Sequence, residues 1–87
     1  MKFEKAFVSR EGRYSLGVET DSQTHYIAIP MSNRMIDYLE YYKLSDEEYQ
    51  TFHADPVSAM NFAESCRRRE QDVRLFMQPG TDRGVPR

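Results

Sequence analysis

The residues of this chain that are best suited to chemistry are few and widely spaced. Two histidines, His25 and His53, and one cysteine, Cys66, are the imidazole and thiol groups available to bind a metal ion. A zinc site needs three or four ligands at suitable spacing, and these three residues form no such motif. We therefore predict neither a metal site nor any other cofactor, and we expect both histidines to be surface or hydrogen-bonded polar residues.

Catalysis by a nucleophile or by paired carboxylates is not indicated either. A nucleophilic cysteine needs a nearby base and a lowered pKa, but Cys66 lies beside Phe62 and Ala63 on the apolar face of a predicted helix. There a free cysteine packs as a small apolar group. A chain of 87 residues also has a thin core that leaves little room for a catalytic cleft. We predict a binding protein that is not an enzyme.

Acidic residues and tyrosines are concentrated in the middle of the chain. Residues 37–55 contain six acidic residues against one basic residue, and four of the six tyrosines. Tyrosine among carboxylates is common on protein-binding surfaces, because the ring provides contact area and the hydroxyl a hydrogen bond. The alternative is a solvated face with its tyrosines half-buried against a sheet. The predicted partner-binding residues are Asp37, Tyr38, Glu40, Tyr41, Asp46 and Glu47.

The last 21 residues have the opposite charge. They contain six arginines against three acidic residues, although the formal charge of the whole chain is −2. The run Arg67-Arg68-Arg69 either contacts phosphate or complements the negative end of a helix dipole. Nucleic-acid-binding domains usually present a broad basic face, whereas this chain has a pI near 5.6. A regulatory or nucleic-acid-associated protein that acts through the C-terminal arginines is therefore our alternative to the protein-binding domain.

The elements that must position these residues begin with strands. Alternating apolar and polar residues joined by short turns predict an antiparallel meander of strands near residues 3–9, 14–20 and 24–31. Pro30 cannot donate to a ladder, so the third strand ends there or lies at an edge. Residues 35–44 fit a fourth strand or a helix, and their tyrosine and isoleucine content favours the strand.

Two helix starts follow. Ser45 and Glu48 have the spacing of a capping box, and Asp55-Pro56 places an N-cap residue before a proline at the first helical position. Val73 to Met77 is either a last strand or an extension of the second helix. The predicted fold is α+β, with an antiparallel meander of three to four strands followed by two helices on one face. It forms one domain over residues 1–78, with a flexible tail over 79–87.

The expected compartment is the cytosol. One cysteine cannot form an intramolecular disulfide, whereas small secreted domains usually contain several. The first five residues lack the apolar segment of a signal peptide, and no run of 18 apolar residues predicts a membrane span.

Several stretches of the sequence resemble a family of small uncharacterised bacterial proteins. They are Tyr14 to Val18, Ile29 to Asn33, Asp37 to Ser45, Phe62 to Arg67 and Pro79 to Gly84. In size and acidity the chain is also similar to immunity proteins of contact-dependent and other polymorphic toxin systems. The first resemblance implies no particular activity. The second implies that the partner is a basic toxin domain, often a nuclease, that an acidic surface neutralises by occlusion.

Overall fold

The computed structural model describes all 87 residues and shows an α+β fold. A four-stranded antiparallel meander is followed by two helices that pack on the sheet, which confirms the predicted fold class. The strands are β1 (Phe3–Ser9), β2 (Tyr14–Glu19), β3 (Thr24–Ser32) and β4 (Asp37–Leu44). The helices are α1 (Asp46–Ala54) and α2 (Pro56–Arg67), followed by a 3-10 turn (Asp72–Arg74) and a short strand β5 (Val85–Pro86).

The main core lies between the helices and one face of the sheet, which we call the helix face. Alternation along the strands directs Leu16, Ile27 and Ile29 to this face, where all three are fully buried. Ala59 and Ala63 of α2 are also fully buried, and their small size brings the helix close to the sheet. Burial of this apolar surface is the main stabilising term of the fold. Neither helix is long and apolar enough to cross a bilayer.

Both predicted helix starts are confirmed. The Ser45 hydroxyl accepts a hydrogen bond from the Glu48 N–H at 3.1 Å, and the Glu48 carboxylate accepts one from the Ser45 N–H at 2.8 Å. This is the reciprocal capping box. Asp55 ends α1 and caps α2, accepting hydrogen bonds from the N–H groups of Val57 and Ser58. Pro56 takes the first helical position, where no N–H is needed.

Pro30 does not end β3, which continues to Ser32. Pro30 pairs with Leu39 of β4, and the position of its absent N–H faces the opposite side of β3. On that side the pairing of β2 with β3 stops at Ala28, so no β2 residue needs a donor at Pro30. On that side β5 takes the place of β2, pairing with Met31 and Ser32. The Pro30 carbonyl accepts a hydrogen bond from the Arg87 N–H at 3.1 Å. The position is therefore a local edge on one side only.

The chain after α2 differs from both interpretations of residues 73–77. Instead of a strand or a longer helix, it forms the 3-10 turn and a single bridge between Leu75 and Tyr42. The expected flexible tail over residues 79–87 has defined contacts at its end, because β5 joins the sheet. Gly84 lies so close to β3 that an added Cβ would collide with the Ser32 backbone. The structure therefore packs residues 83–87 against the domain.

Candidate binding surface

The six predicted partner-binding residues do not form one surface. Strand alternation places Tyr38 and Glu40 on the helix face and Asp37 and Tyr41 on the opposite face, which we call the open face. Asp46 and Glu47 are exposed in the first turn of α1, at the other end of β4 from Asp37. The exposed acids of the set are thus separated by the length of a strand.

Glu40 is buried, with 7% of its surface exposed, and is part of an ion-pair network. Both of its carboxylate oxygens accept hydrogen bonds from the Arg83 guanidinium at 2.9 Å. Arg83 also donates to Asp72 at 2.7 and 3.0 Å, and Tyr42 donates to Glu40 at 3.0 Å. The Tyr38 hydroxyl accepts a hydrogen bond from the Gly84 N–H at 2.7 Å. Glu40 and Tyr38 therefore hold the C-terminal segment in place.

The two oppositely charged parts of the sequence pair with each other inside the molecule. Besides the Arg83 network, Arg74 binds Glu48 at 2.8 Å and Arg87 binds Asp37 at 3.1 Å. The Arg74 guanidinium, through its hydrogen bond to the carboxylate, lowers the pKa of Glu48. A hydrogen bond from Arg83 likewise lowers the pKa of Asp72. These contacts give much of the acidic segment an internal partner.

The arginine run after α2 also has partners within the chain. Arg67 donates to the backbone carbonyls of Gly12 and Arg13, and Arg69 donates to the Gly84 carbonyl at 3.3 Å. Arg68 pairs with Glu70 at 2.8 Å. Two of the three side chains thus tie distant loops to the domain, and the third has a neighbouring acid.

Besides the main core, the molecule has a smaller aromatic cluster on the open face, away from the helices. Phe3 stacks on Tyr41 with ring centroids 3.7 Å apart. Tyr26 and Phe76 each make a T-shaped contact with Phe3, with ring centroids 5.4 and 5.2 Å away. Gly17 makes room for this cluster, because a Cβ there would lie 2.6 Å from the Tyr26 hydroxyl oxygen. Sequence reasoning identified Tyr41 but missed Phe3 and Phe76, which come from the two ends of the chain.

A groove of about 450 Å³ lies beside this cluster, between β4 and the chain from Leu75 to Arg83. Its apolar lining includes Leu39 and Tyr41 of β4 and Phe76, together with two strongly exposed side chains, Ile36 at 62% and Met77 at 64%. Scattered exposed apolar residues are normal, but several that line one groove make it a candidate contact surface.

The backbone of β4 is open along part of this groove. The pairing of Leu39 with Pro30, which has no N–H, directs the N–H and C=O of Leu39 away from β3 and towards the groove. Two residues further on, the Tyr41 carbonyl accepts a hydrogen bond from the Phe76 N–H at 3.1 Å. None of the 12 backbone hydrogen bonds outside regular elements uses Leu39. The edge is therefore covered at Tyr41 and open at Leu39.

Cys66, His25 and His53 are each packed against, or bonded to, other side chains of the domain. Burial raises the pKa of the Cys66 thiol to about 12, which disfavours the nucleophilic thiolate. The His25 Nδ1 lies 2.9 Å from the Asp46 Oδ1, and the His25 ring stacks on Tyr49 with centroids 3.8 Å apart. His53 meets the Tyr49 ring at 4.5 Å. No three His, Cys, Asp or Glu residues come together in a group that could hold a metal ion.

No protein-family model, curated protein or solved structure matches the chain. We therefore infer a function from the geometry of the chain alone.

Proposed function

We propose that the chain is a protein-binding domain that receives an extended segment of its partner in the groove beside β4. The observation that carries the proposal is the open backbone edge at Leu39, flanked by exposed apolar side chains. An extended segment adds to such an edge through main-chain hydrogen bonds, while alternate side chains enter the neighbouring apolar surface.

The groove fits one segment of this kind. Tyr41 and the bridge between Leu75 and Tyr42 close the edge at one end, which limits pairing to the neighbourhood of Leu39. Ile36 and Met77 provide apolar contacts on the two sides. The exposed Asp82 also lines the groove and favours a basic residue in the partner.

A basic toxin domain neutralised by occlusion stays within this proposal as one class of partner. The acidity of residues 37–55 supports this class of partner, although internal pairing of Glu40 and Glu48 with arginines reduces the negative charge that could steer association. Glu47 and Asp82 are acids that remain exposed. We therefore place the contact at the groove, with the remaining acids contributing to the rate of association.

The alternative, nucleic-acid binding through Arg67, Arg68 and Arg69, has less support from the geometry. Their internal contacts would have to break before the side chains could reach phosphates. A regulatory role remains compatible with a protein partner that binds in the groove.

The test compares capture of partners from the native cell by three forms of the protein. The wild type is set against Ile36→Asp/Met77→Asp, which places charge on both sides of the groove, and against Val57→Asp on α2. All three substituted residues are strongly exposed, at 62%, 64% and 67%, so the fold should be retained. We expect the groove variant to bind the captured protein at least about tenfold more weakly, which is about 1.4 kcal/mol.

The Val57→Asp variant should bind like the wild type. A protein that all three forms bind with the same dissociation constant would contradict the proposal. A fourth variant, Glu47→Lys, tests the acidic start of α1. If it loses binding while the groove variant binds fully, the contact surface lies at the start of α1 and not in the groove.

A further inference from the structure

A second cavity on the open face, which we call the basic pocket, has a different chemistry from the groove. Its volume is about 560 Å³, and four basic residues from separate parts of the chain line it. They are Lys5 of β1, Arg10 and Arg13 of the turn between β1 and β2, and Arg87 beside β5. No acidic residue lines the pocket, although the chain as a whole has a formal charge of −2.

Three of these cations form no ion pair in the molecule. The eight ion pairs of the structure include no contact of Lys5, Arg10 or Arg13. The fourth, Arg87, contacts Asp37 at 3.1 Å, and both side chains are about half exposed. Four of the six arginines outside the pocket form ion pairs, whereas three of the four cations that line the pocket form none. Like charges repel, and an anionic ligand would relieve that repulsion.

The backbone around the pocket is held in place. Arg67 of α2 donates hydrogen bonds to the carbonyls of Gly12 and Arg13, which ties the turn to a helix. Arg13 has a left-handed backbone, with φ of 53°, a conformation that ordinary residues rarely adopt. On the other side, the Arg87 N–H is bonded to the Pro30 carbonyl. The positions from which the cations extend are therefore defined by the fold.

We propose that the basic pocket binds a phosphate-bearing small molecule. Guanidinium groups recognise phosphate oxygens through paired hydrogen bonds, and several converging on one cavity favour a ligand with more than one negative charge. The hydroxyl-bearing residues Ser9 and Ser15 also line the pocket, and Val8 and Leu39 supply an apolar wall. The volume is within the range of small-molecule sites. The proposal does not depend on the partner groove.

The test is a titration of the full-length protein with inorganic pyrophosphate, followed by calorimetry and by amide chemical shifts. We expect saturable binding, with shifts concentrated in residues 5–15 and at Arg87. The variant Arg10→Gln/Arg13→Asn removes two charges, and asparagine tolerates the left-handed backbone at position 13. It should bind pyrophosphate at least about tenfold more weakly than the wild type.

The control is Arg34→Gln, because Arg34 is exposed and does not line the pocket. Its dissociation constant for pyrophosphate should lie within about twofold of the wild-type value. Chemical-shift dispersion of the double variant checks that it is folded. Absence of saturable binding to the wild type, or equal loss in the control and the double variant, would overturn the proposal.

Discussion

At the residue scale, the Glu40 carboxylate links β4 to the C-terminal segment through the guanidinium of Arg83. The acidic and tyrosine-rich composition of residues 37–55 predicts that Glu40 contacts a partner, whereas its carboxylate is buried and accepts hydrogen bonds from Arg83 and Tyr42. Glu40 and Arg83 are 43 positions apart in the sequence, so no local pattern predicts this pairing. By contrast, Cys66 lies in the core as its helical spacing predicted, because that spacing is local.

Replacing Arg83 should strongly destabilise the protein. Arg83→Ala leaves the carboxylate of Glu40 buried without its partner, and breaking a buried pair in this way typically costs about 3 kcal/mol or more. Urea unfolding followed by circular dichroism measures the change. The matched control is Arg68→Ala, which removes an exposed pair with Glu70 and should cost less than about 1 kcal/mol. Equal stability of the two variants would show that the Arg83 network is unimportant.

At the element scale, the parts predictable from the sequence were those with a period or a cap. The β2 and β3 alternation, the Ser45 capping box and the Asp55-Pro56 start all describe contacts within a few residues. The strand β5 has no such signal, since two residues carry no period and its pairing with β3 spans more than fifty residues. The open groove is likewise built from β4 and a distant loop.

Packing of the C-terminal segment can be tested through its glycines. Gly84→Ala would push a Cβ into the Ser32 backbone, so we expect β5 to detach or shift at a cost of about 1–3 kcal/mol. Gly80→Ala is the control, because nothing lies within 4 Å of a Cβ at that position. Thermal unfolding of both variants, with amide exchange at Arg87, gives the comparison. Identical behaviour of the two would mean that residues 83–87 form the loose tail expected from composition.

At the scale of the whole molecule, charge separated along the chain is brought together by folding. Arginines near the C-terminus reach Asp37, Glu40 and Glu48, so the strongest feature of the sequence is largely used for intramolecular contacts. What remains on the surface is an open sheet face with an apolar groove at one side and a basic pocket at another, joined at Leu39. The groove runs along the edge of β4, and the basic pocket lies on the open face because the helices cover the other face.

Amide hydrogen exchange at Leu39 tests whether a partner segment pairs with the open edge of β4, as we propose. Exchange is compared in the free protein and in the complex with the captured partner. Because the Leu39 N–H points into the groove, we predict rapid exchange in the free protein and strong slowing in the complex, with little change in α2. Unchanged exchange at Leu39, together with slowing at the start of α1, would contradict the account.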